Sequence, residues 1–182
     1  MSTFRTPRSM LAAIAVAAAL PAAALAKDSG GTGGVGTTPS TPGAGTSGDS
    51  IFPLRAKHTY GDGLGAGRGH QGQDLLAKCG KPIVAAEPGR VRLVKYQASG
   101  AGNYAVLSTK GKSDQVYMHM AAPSKLREGA RVQAGDLVGR VGSTGRSTAC
   151  HLHFEMWSKP GWYRGGSVLD PTPYLKSLDK RG

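Results

Sequence analysis

Four of the five histidines fall into three short segments, and an aspartate stands with the first of them. His70 and Asp74 lie in R-G-H-Q-G-Q-D, His119 in Q-V-Y-M-H-M, and His151 and His153 in C-H-L-H-F-E. Imidazole and carboxylate are the donors of an open zinc site, which takes three protein ligands and leaves a fourth position for water. A hydrolase built on such a site also needs polar groups that move protons and hold a developing oxyanion. Five residues in three clusters supply both sets. A lone H-x-x-x-D or H-x-H arises by chance, and a single histidine is more often structural than a ligand; the coincidence of all three segments in one short domain is what carries the reading. His58, in K-H-T-Y-G-D-G, stands upstream and reads as a rim or structural residue.

The elements that must position these side chains are strands. Glycine recurs about every ten residues, and between the breaks lie short β-type runs at 83–86, 90–96, 104–108, 115–120, 137–141 and 151–157. That spacing predicts an antiparallel all-β domain. Two short helical turns are expected besides, at 123–127 and at 174–178. The H-E-x-x-H motif, which places two ligands on one helix face, does not occur. On a strand, residues i and i+2 share a face. His151 and His153 are therefore expected side by side over one groove, with Leu152 turned into the core. His70 and Asp74 share parity, with a bend at Gly72 turning both inward, and Tyr117 is expected on the face of His119. By the same parity Glu155 follows His153; it reads as a solvated strand carboxylate ahead of the alternative, a carboxylate that supports a metal ligand from behind. Asn103, beside glycine, reads as a turn former ahead of the alternative, a substrate contact.

Residues 1–26 read as a secretory signal peptide: Arg5 and Arg8, an apolar run over 11–20, and Ala24-Leu25-Ala26 at the cleavage position. The run is shorter than the ~20 residues a membrane span needs, and Pro21 interrupts it, so no stable membrane anchor is expected. Residues 27–50, almost wholly Gly, Thr, Ser and Pro, read as a flexible linker with too little apolar content to order itself. A folded domain is placed at 51–178, about 130 residues and enough for one core, with a tail at 179–182. The formal net charge is +12, from 23 Lys and Arg against 11 Asp and Glu. The cations are scattered and no nucleic-acid recognition pattern occurs, which argues against a nucleic-acid partner. On an exported protein a basic surface suits an anionic polymer such as the cell wall.

These segments together resemble the lysostaphin-type (LytM-like) zinc endopeptidases that cut peptidoglycan. The resemblance runs from about Phe52 to Leu175 and is carried by R-G-H-Q-G-Q-D, K-P-I-V-A-A-E-P-G-R-V, Y-M-H-M, V-Q-A-G-D-L-V-G-R-V-G-S-T-G-R-S-T and H-L-H-F-E. It implies a compact antiparallel β-sheet domain with a narrow groove, of the duplicated-hybrid-motif type. It implies one Zn²⁺ per chain, with His70, Asp74 and His153 as ligands, and His119 and His151 as the catalytic pair. Peptidoglycan peptide is the implied substrate; a monomer is the default expectation, and the signal segment places the chain outside the cytoplasm, secreted or in the cell envelope. Cys150 stands where many relatives carry proline, and Met120 where leucine is frequent; neither change removes a polar group from the site. Members of the family that have lost ligands serve as regulators, so a non-catalytic wall-binding module is the rival from another class, and a zinc amidase at the sugar–peptide junction is a third reading. The full five-residue set favours the peptidase.

The two cysteines suit an oxidising compartment. A Cys79–Cys150 disulfide would tie the first ligand segment to the last, closing a loop of about 70 residues worth roughly 4 kcal/mol in the chain-entropy model. A third, soft metal ligand and free buried thiols are the competing readings; Cys150 has the opposite strand parity to His151 and His153, which favours the disulfide. Trp157, Trp162 and Tyr163 read either as a groove wall or as aromatic core, and the stretch 132–148 as turns that frame the groove.

Overall fold

The computed structural model describes residues 50–181 apart from 68, 111 and 112. The expected signal peptide, and the linker up to residue 49, lie outside the described residues. The chain runs through β1 (Thr59–Tyr60), β2 (Gln73–Leu76), β3 (Pro82–Val84), β4 (Gly89–Gln97), β5 (Gly102–Thr109), β6 (Ser113–Met120), β7 (Arg131–Val132), β8 (Leu137–Arg140), β9 (His151–Ser158), β10 (Val168–Leu169) and α1 (Thr172–Asp179). All six expected β-type runs form strands. The main sheet has the order β1-β2-β9-β6-β5-β4-β7, with β10 continuing alongside β9 past the end of β2, and β3 pairs with β8 in a separate ribbon. Every registered pair is antiparallel. No described helix is long and apolar enough to cross a membrane.

The central strands β5 and β6 are buried almost throughout, because the sheet is covered on both faces. On one face Leu75, Leu107, Tyr117, Leu152 and Phe154 meet Ile83 and Val138 of the ribbon and Leu175 and Leu178 of α1. On the other, Tyr104, Val106, Val116, Met118, Trp157 and Trp162 form a second apolar cluster. Burial at roughly 25 cal/mol per Å² of apolar surface makes these two layers the main favourable term in folding. The second cluster is the bed on which the histidines sit.

Two local expectations change. Residues 123–127 form no helical turn: the Ser124 hydroxyl accepts the Leu126 N–H and donates to the Val138 carbonyl, an arrangement that competes with helix. The terminal helix is longer than 174–178, starting behind Pro171 with a second proline in its first turn, where no N–H is needed. Strands β1, β2, β7 and β10 have two to four residues each, too short for an alternation to show in sequence.

Cys79 and Cys150 are joined, with Cα atoms 5.3 Å apart across 71 residues of chain. The bond ties the segment after β2 to the start of β9. Replacing both cysteines by alanine is expected to lower stability by roughly 4 kcal/mol, read as the midpoint of urea unfolding at constant slope. A midpoint unchanged within error would show that the loop is already constrained by the β2–β9 pairing.

Candidate active site

Strand parity delivers the first two histidines as expected. Along β9, Leu152 and Phe154 enter the first core, while His151, His153, Glu155 and Trp157 point to the other face. Asp74 on β2 is the register partner of His153, so cross-strand pairing alone places carboxylate beside imidazole. Gly72 lets the two segments touch: a Cβ there would lie 2.4 Å from the Phe154 carbonyl oxygen and 2.9 Å from His153 Nε2.

His119 reaches the same face by breaking the alternation. Asn103 pairs with Met120 and Ala105 with Tyr117, so two steps on β5 face three on β6. The extra residue is a β-bulge, and His119 sits in it at φ 59°, in the left-handed region. Tyr117 and Met120 therefore both turn into the first core, and His119 joins Met118 on the groove side. The expectation that Tyr117 shares the face of His119 fails for this reason. Tyr117 is fully buried, its hydroxyl donating to Gln115 Oε1 at 2.8 Å and accepting the Ala86 N–H at 3.0 Å.

The donor set converges on Asp74 Oδ1. His70 Nε2 lies 3.1 Å from it, His153 Nδ1 2.8 Å and His151 Nε2 3.6 Å. Carbonyl partners fix the tautomers, since a carbonyl can only accept. His70 Nδ1–H donates to the Gly63 carbonyl (2.9 Å), His119 Nδ1–H to that of Thr144 (2.7 Å) and His151 Nδ1–H to that of Ala149 (2.9 Å). In its neutral form each of these rings leaves Nε2 as the lone-pair nitrogen. His153 is turned the other way, with Nε2 facing Glu155 Oε1 at 3.1 Å and Nδ1 left for the site. His70, Asp74 and His153 each offer one ligand atom, and these lie within 4.8 Å of one another. Two imidazole nitrogens and a carboxylate oxygen facing one point form a donor set that suits a divalent cation.

The charges respond to this crowding. Burial works to raise the Asp74 carboxyl, but the His153 hydrogen bond and the neighbouring imidazoles outweigh it and hold the group below its ordinary value. Burial works to lower His153, and the bonds to Asp74 and Glu155 win, raising it to about 9. His119, desolvated and beside His151 and His153, is lowered to about 4 despite its bond to Thr144, so it is neutral at neutral pH. The His119 and His151 ring centroids are 4.7 Å apart.

At Glu155 the favoured sequence reading fails and the alternative, a carboxylate behind a metal ligand, matches the geometry. Glu155 is buried, not solvated, at 3% exposure. Its second oxygen accepts both indole N–H groups, Trp157 at 2.7 Å and Trp162 at 3.0 Å. Two tryptophans in the nine residues after His153, one at matching strand parity, were the available signal. A carboxylate behind an imidazole fixes its tautomer and typically carries ~10–100-fold in metal affinity. Glu155→Gln is expected to weaken metal binding by a factor in that range, measured by competition with a chromogenic chelator; an unchanged affinity would reduce Glu155 to a core hydrogen-bond acceptor.

Trp157 and Trp162 are thus core residues, whereas Tyr163 is exposed at the groove rim, its hydroxyl 3.4 Å from Gln71 Oε1. Asn103 is no turn former: it lies on β5, buried, and donates to the Met120 carbonyl across the bulge at 3.1 Å. His58 stacks on Phe52 at 4.5 Å and lies 3.4 Å from Asp179, structural as expected. The four clustered histidines and Asp74 line an open groove of about 1070 Å³, whose walls include residues 97, 99–101 and 145–148. Of the stretch 132–148, residues 137–140 form β8 and only the last part frames the groove.

Fold and site define an antiparallel β domain with a His–Asp–His group, able to hold a metal, at the base of a groove. Residues 68–171 match Peptidase family M23, more than half of the chain, and the chain belongs to that family. It is 36% identical over 126 residues to the glycyl-glycine endopeptidase ALE-1 of Staphylococcus capitis, covering 66% of this chain and 34% of that protein. Against lysostaphin of Staphylococcus simulans the identity is 35% over 126 residues, 66% of this chain and 25% of the relative. Against the DD-carboxypeptidase/endopeptidase Mpg of Neisseria gonorrhoeae it is 35% over 111 residues, 61% and 25% respectively. The chain spans about a third or less of the length of these relatives. The catalytic domain of lysostaphin from Staphylococcus simulans superposes with a TM-score of 0.59 at 32% identity, covering 65% of this chain and 92% of that one.

Proposed function

We propose that the chain is an exported zinc endopeptidase that hydrolyses peptide bonds in peptidoglycan stems or cross-bridges. The observation that carries this is the convergence of His70 Nε2, Asp74 Oδ1 and His153 Nδ1 at the base of an open groove, with two more imidazoles beside them. M23 metallopeptidases use zinc, and the donor set fits it: these three residues would hold one ion per chain. Zinc bound there supplies Lewis acidity, lowering the pKa of a water and polarising the scissile carbonyl.

The remaining chemistry belongs to His119 and His151. In both, Nδ1 is engaged by a backbone carbonyl and Nε2 points away from it. Between them they take the proton of the attacking water, stabilise the oxyanion and return a proton to the leaving amine. Burial keeps His119 neutral, so it begins the cycle able to accept. Thr144 and Ala149 hold the two rings in place through their carbonyls, which lessens reorganisation during the reaction.

Export rests on the segment 1–26 and on the Cys79–Cys150 bond, which suits an extracytoplasmic protein. The domain boundaries 51 and 178 belong to the same reading, as does the monomer. The relatives' names describe glycyl-glycine and DD-peptide cleavage, and both bond types are candidate substrates here. The test is incubation of the mature protein with purified peptidoglycan, with chelator, and with chelator followed by zinc. Fragments that appear only with zinc support the peptidase, and their masses name the bond. Zinc bound at one per chain with no release from several wall types would favour the binding module instead.

A further inference from the structure

We propose that Arg146 makes the groove selective for peptides that carry a free carboxylate beside the scissile bond. The inference rests on the peptidase reading above and names the substrate class for the same site. Among the described residues that line the groove, Arg146 is the one Lys or Arg. The two carboxylates in that lining are already engaged, Asp74 by His70 and His153, and Glu155 by His153 and both indoles. The Arg146 guanidinium makes no ion pair or hydrogen bond with another described residue, and the residue is exposed at the rim.

The backbone beneath this free side chain is fixed. Arg146 N–H donates to the Gly100 carbonyl at 2.8 Å. Gly145, at φ 73°, rests directly on the turn before β5: a Cβ would come within 2.2 Å of Gly102 N, so only glycine fits. Thr144 Oγ1 donates to the Met120 carbonyl at 2.8 Å and accepts Asn103 N–H at 2.9 Å, while its carbonyl takes His119 Nδ1–H. Arg146 therefore stands two residues from the group that orients His119, on a loop tied to β5 and to the bulge of β6. On this fixed backbone an unpartnered guanidinium fork offers two parallel N–H donors to a carboxylate without first giving up another contact. A peptide stem offers such a carboxylate at its C-terminal residue or on a diamino acid; the interior of a glycine bridge offers none.

The experiment uses four synthetic peptides: a cross-linked stem dimer with free carboxylates, the same dimer amidated at its C-terminus, the same amidated at the diamino acid, and pentaglycine. The wild-type protein is expected to show kcat/KM about 10–100-fold higher for the free acid than for one of the two amides, the span of one charged hydrogen-bonded contact. Whichever amide is slow names the source of the carboxylate. Arg146→Gln should bring the free acid down to the level of that amide, leave the amide unchanged and keep zinc at one per chain; Arg146→Lys should fall between. Binding of the same peptides to zinc-loaded His119→Ala protein should follow the same order, and this arm judges the carboxylate preference even where nothing is cleaved. Equal handling of acid and amides by the wild type, or an equal loss on all peptides in Arg146→Gln, overturns the inference and leaves Arg146 a solvated surface residue. Absence of cleavage together with a carboxylate preference in binding overturns the peptidase reading alone.

Discussion

Replacing His119 by alanine is expected to leave zinc bound at one per chain and to slow peptidoglycan hydrolysis by about 10²–10⁴-fold, the usual contribution of a positioned acid–base group. The separation of effects follows from geometry. His119 points Nδ1–H at Thr144 and takes no part in the His70–Asp74–His153 group. Its backbone sits at φ 59°, where alanine is strained, so His119→Asn is the companion variant: asparagine tolerates that region but cannot relay a proton. Both variants should be equally inactive, with metal content measured by atomic absorption after desalting. Near wild-type turnover in the asparagine variant would show that the bulge, and not the imidazole, is what the reaction requires.

Asp74→Asn is expected to remove both metal and activity. Asp74 Oδ1 is the atom on which His70 and His153 converge, and its carboxyl is held ionised by them. An amide of the same shape lacks the charge that offsets a divalent cation and places an N–H among lone pairs. The loss in affinity should exceed the ~10–100-fold typical of an outer partner such as Glu155, so that zinc is stripped by desalting alone. Hydrolysis should then equal that of chelated wild-type protein and should not return on adding stoichiometric zinc. Retention of tightly bound zinc in Asp74→Asn would mean that the ion sits elsewhere among the histidines.

These two variants, with Glu155→Gln, separate three layers of one site: proton transfer, metal binding and the carboxylate behind a metal ligand. The disulfide variant tests the frame instead. It joins the segment after β2 to the head of β9, the two strands whose register sets Asp74 against His153.

The sequence alone determined the chemistry and half of the placement. Side-chain type names the donors, and strand alternation is a local rule with a period of two, so His151 and His153 on one face and Leu152 on the other were legible from spacing. The Cys79–Cys150 pairing was favoured by the same parity. The tertiary structure decided what depends on neighbouring strands. The bulge that turns His119 to the groove and Tyr117 to the core exists only as a mismatch between β5 and β6. Strand β2 is four residues long and becomes a strand by pairing with β9. Glu155 looks like any polar residue on an alternating strand until Trp157 and Trp162 close over it and remove its water. Arg146 is one cation among many in the chain until the loop at 143–148 docks on the turn before β5 and sets it at the groove. Alternation is written in consecutive residues, whereas register, burial and the closing of a groove are sums over contacts between distant segments, and those are made only when the sheet assembles.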